Sequence, residues 1–110
     1  MSLNSLIIQT LKPTGVPAVF QVYTGTQTTY ITFFEYNEMG TSFAEDAEQT
    51  ERRSIQVDIW SKGNYADLVK QVRKLMTDAG FTRNSGTESY EDDTKVFHKV
   101  FRFYYEVMNN

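Results

Sequence analysis

The chain has 110 residues, no cysteine and a formal net charge of −3, with a sequence pI of about 5.1. That length suits one domain, and the missing cysteines exclude disulfides and thiolate metal sites. The acidic balance argues against a free-standing nucleic-acid binder, which needs a basic face.

Packing must therefore hold the fold, and 8 Phe, 7 Tyr and 1 Trp provide material for a core. No apolar run approaches the ~20 residues of a membrane span. The opening MSLNSLIIQTLK lacks a basic region and has only a short apolar stretch, so it is not expected to be a secretory signal. A cytoplasmic setting and no membrane contact are the expectations.

Leu3, Leu6, Ile7 and Leu11 recur at helical spacing and predict a short helix, with Ser2 or Asn4 as its cap. Pro13 should end it near Lys12. AVFQVY (Ala18–Tyr23) reads as a strand, TGTQTT as a polar hairpin loop, and YITFFEY (Tyr30–Tyr36) as a stronger strand. A long polar stretch follows, and a flexible loop is expected over 40–53. In SIQVDIW (Ser54–Trp60), Ile55, Val57 and Ile59 alternate with Gln56 and Asp58, the pattern of a half-buried strand.

NYADLVKQVRKLMTDAG is the strongest helix. Tyr65, Leu68, Val69, Val72, Leu75, Met76 and Ala79 share a stripe, Asn64 fits the N-cap and Gly80 the left-handed position after the last turn. Phe81–Tyr90, with an irregularity expected at Gly86, and Lys95–Val107 read as the two arms of a hairpin around an acidic turn. The order is α-β-β-β-α-β-β in one domain, 1–110. It predicts an α+β fold with one mainly antiparallel sheet and both helices on one face. The other face should carry Phe34, Tyr36, Trp60 and Tyr104, and should be solvated or covered by another subunit.

No residue set predicts chemistry. Strand, glycine and helix in QVDIWSKGNYADL suggest a phosphate site, but Gly63 stands alone and Lys62 precedes it. The G-x-x-x-x-G-K-[ST] and G-x-G-x-x-G patterns are both absent, so a turn plus cap is the reading. His98 is the single histidine and has no expected catalytic partner. The run Tyr90–Asp93 lacks the ligand spacing and glycine of a calcium loop. KVFHKVFRFYYEV lacks the glycines of RNA-binding sheet strands. No catalytic, cofactor-binding or metal-binding residue and no cofactor is predicted.

TTYITFFEYNEMG, a charged loop, RRSIQVDIWSKGNYADLVKQVRKLMTDAGF and the closing KVFRFYYEV together resemble the small tail completion proteins of long-tailed bacteriophages and prophages. These are called tail terminators or tail-to-head joining proteins. The resemblance covers roughly Thr28 to Tyr105 and rests on strand and helix patterns. It implies a cofactor-free structural protein of the virion head–tail interface, assembled in a host bacterial cytoplasm. Such proteins form rings, commonly hexameric, that end tail-tube polymerisation and receive the head connector. Expected partners are further copies of the chain, the tail tube protein, the head connector protein and DNA that passes without specific binding. The candidate interface residues are Glu45, Asp46, Glu48, Glu51, Arg52 and Arg53 in the long loop, ordering against a tube or connector subunit, with Trp60 and Tyr104 on the aromatic face. Competing readings are a head-completion or connector protein of the same particle and a small non-viral protein-binding module. An enzyme centred on His98 is the weakest.

Overall fold

A computed structural model describes residues 2–36, 50–91 and 96–108, with backbone alone for 50, 51, 85–91, 107 and 108. Helix α1 (Leu3–Leu11) starts where the Ser2 hydroxyl accepts the Ser5 N–H at 3.1 Å. Leu3, Ile7 and Leu11 form its buried face. Pro13 stops it as expected, and the chain tightens into a 3-10 turn (Lys12–Thr14). Gly15 closes that turn at φ +76°, a left-handed conformation that costs glycine nothing.

Strands β1 (Ala18–Phe20), β2 (Tyr30–Tyr36), β3 (Thr50–Ser61), β4 (Thr82–Glu91) and β5 (Val96–Met108) form one sheet in the order β1-β2-β3-β5-β4. All pairs are antiparallel except β1 with β2, which is parallel. The hairpin expected at TGTQTT is therefore absent. β1 ends after three residues because Gln21 adopts φ 66° and its N–H turns to the Phe33 carbonyl at 2.8 Å. Residues 21–29 then double back to the start of β2, as a parallel pair requires.

β3 begins at Thr50, four residues before the expected Ser54. Glu51, Arg52 and Arg53, which the sequence assigns to the loop, pair with Val107, Glu106 and Tyr105 of β5. Residues 40–49 of that expected loop lie outside the described residues. The sheet irregularity falls between Arg83 and Ser85, not at Gly86.

Helix α2 (Ala66–Asp78) starts one residue later than expected. Tyr65 is its N-cap, and the Asn64 side chain still accepts the Ala66 N–H at 3.0 Å. Both helices cover one face of the sheet. Ile31, Phe33, Ile55, Val57, Ile59, Phe101 and Phe103 from the strands meet Leu3, Ile7, Leu11, Val72 and Met76 from the helices in one buried core. The strand period of two puts every alternate residue on the opposite face, which no described helix covers.

Candidate functional site

Among the described residues, the uncovered face carries a connected set of ring contacts and side-chain hydrogen bonds. Register places Tyr30, Trp60 and His98 side by side on β2, β3 and β5. Their rings stack across the strands. The Trp60 and His98 centroids lie 3.6 Å apart at 13°, and those of Tyr30 and Trp60 6.2 Å apart at 20°. Tyr23 extends the row, stacked on Tyr30 at 4.5 Å. The Trp60 indole N–H donates to Thr32 Oγ1 at 3.1 Å, which fixes the ring against the sheet.

The next rows are polar and paired. Asp58 is only 4% exposed although it stands on the uncovered face. Its Oδ1 accepts from His98 Nε2 at 2.7 Å, and Gln56 Nε2 donates to Oδ1 and Oδ2 at 3.0 and 3.2 Å. Arg102 Nε in turn donates to Gln56 Oε1 at 3.2 Å, and its guanidinium lies 5.9 Å from the Tyr36 ring. Arg102, Gln56, Asp58 and His98 thus form a continuous hydrogen-bonded chain across β3 and β5. No buried side-chain nitrogen or oxygen among the described residues lacks a partner. A fully satisfied network of this kind rigidifies the surface that carries it.

Of the residues singled out from sequence, Trp60 belongs to this cluster. Tyr104 lies on the same face about 20 Å away, since it pairs with Ser54, six residues along β3 from Trp60. Arg52 joins Tyr104 there. Its guanidinium sits 4.0 Å over the ring while Nη2 bonds Glu106 Oε1 at 3.1 Å. Arg53 points to the helix side, where Nε and Nη2 make a two-pronged contact with Glu35 Oε2 and Oε1, both at 2.7 Å. Glu51 is placed by backbone pairing with Val107. Glu45, Asp46 and Glu48 lie outside the described residues. Sequence alternation put Gln56 and Asp58 on this face, but their meeting with His98 and Arg102 depends on the β3–β5 register, which no local pattern shows.

His98 with Asp58 supplies two members of an acid–base relay. A nucleophile within about 2.6–3.2 Å of the second ring nitrogen would be needed. His98 Nδ1 makes no hydrogen bond among the described residues, and the indole of Trp60 covers the face of the imidazole. Among the described residues no three His, Asp or Glu side chains group so as to hold a metal ion. No described helix is long and apolar enough to cross a membrane. What the arrangement offers is a surface of stacked rings and hydrogen-bonded polar groups. Aromatic residues and arginine with bound polar neighbours are the composition enriched at the centre of protein contacts.

The fold has a solved counterpart. A chain from the structure described as "Virion of native gene transfer agent (GTA) particle" superposes with a TM-score of 0.69 and 12% identity, over 98% of this chain and 96% of that one. At this identity the likeness is one of fold, and it runs end to end. No family model matches the chain, and no curated protein does.

Proposed function

We propose that the chain is a structural subunit of a phage-like particle that forms a ring at the head-proximal end of a tail tube. In this role it ends tube growth and joins tail to head. The end-to-end fold likeness to a chain of a gene transfer agent virion carries the proposal. The aromatic and polar sheet face supports it, because a helix-free face with rings locked in place suits burial against another subunit. Subunits would meet through unlike surfaces, and contacts of that type generate rings when the rotation closes.

The same likeness serves a head-completion or connector subunit equally, since the description of the matched particle names no position for its chain. Two measurements divide the readings. Negative-stain images of the purified chain, alone and with tail tube protein, are expected to show rings and capped tubes of arrested length. A chain that stays monomeric at all concentrations and leaves tube growth unchanged sinks the terminator reading. Rings that ignore the tube but bind a head connector move it to the connector position.

A further inference from the structure

We draw no further inference here: the strongest candidate, the exposed apolar patch of Ile8, Phe20 and Val22 along the β1 edge of the sheet, beside the groove of about 350 Å³ between α1 and β1, carries nothing because nothing in the structure shows what covers it.

Discussion

Arg53 and Glu35 approach each other from adjacent strands, and the consequence can be read in acid. The hydrogen bond from Arg53, helped by its charge and opposed by partial burial, holds the Glu35 carboxyl below its ordinary value of 4.5. A carboxyl lowered by folding stabilises the native state above its unfolded value, and that contribution fades as pH falls through the folded one. Both side chains are about one-third exposed, which keeps the effect within the ~1 kcal/mol of a surface pair. Glu35→Gln is expected to lower urea stability by about 0.5–1 kcal/mol at pH 7 and by less at an acidic pH below 4.5. An equal loss at both values would show that the pair acts through shape alone. On the other face, Asp58→Ala leaves His98 Nε2 and Gln56 Nε2 without their acceptor in a nearly buried site. That should cost about 1–3 kcal/mol, whereas Trp60→Phe, which loses a single neutral bond to Thr32, should cost about 1. Denaturant titration of the two variants checks the order. Sequence alternation assigned these residues to one face, but which of them touch was set by register across strands distant in sequence.

At the scale of elements, the patterns that bury many apolar atoms were the legible ones. The α1 and α2 stripes, β2 and the Ile55, Val57, Ile59 alternation all stand as the sequence predicts. The errors fall where polar or single-residue effects decide. AVFQVY alternates well enough for a six-residue strand, but the positive φ of Gln21 ends β1 early and the loop sends it parallel to β2. Thr50–Arg53 reads as loop because the run is polar, and it becomes strand because Arg52 finds Glu106 and Tyr104 across β5. Gly80 was identifiable because a helix end demands it. It sits at φ +103°, and an added Cβ would come within 3.4 Å of the Tyr105 ring. Gly80→Ala is expected to cost more than about 1 kcal/mol through strain at the end of α2. Thermal unfolding of the variant measures it, and an unchanged midpoint would mean that the turn relaxes freely.

At the scale of the molecule, the fold class was readable from element order, and the candidate interface only in outline. Trp60 and Tyr104 stand on the aromatic face as strand alternation implies, whereas the packing of Tyr65 on Phe97 at the start of α2 brings in a residue of β5 that the local sequence around Gly63 does not contain. The proposed ring makes the open face testable as a surface. Tyr36→Ser with Tyr104→Ser should leave far-ultraviolet circular dichroism unchanged and weaken self-association about tenfold or more. Intact association in that double variant would assign the face to a different partner or to solvent.

The position of β5 has a consequence in time. It is the last of the five strands to be made, yet it lies between β3 and β4 and pairs with both. Until Val96–Met108 has left the ribosome, β3 has a bare inner edge and β4 has no neighbour at all. Phe101 and Phe103 are also missing from the core until then. A growing or truncated chain that lacks β5 therefore cannot present a finished sheet face. Any contact that uses this face is therefore delayed until β5 has been made.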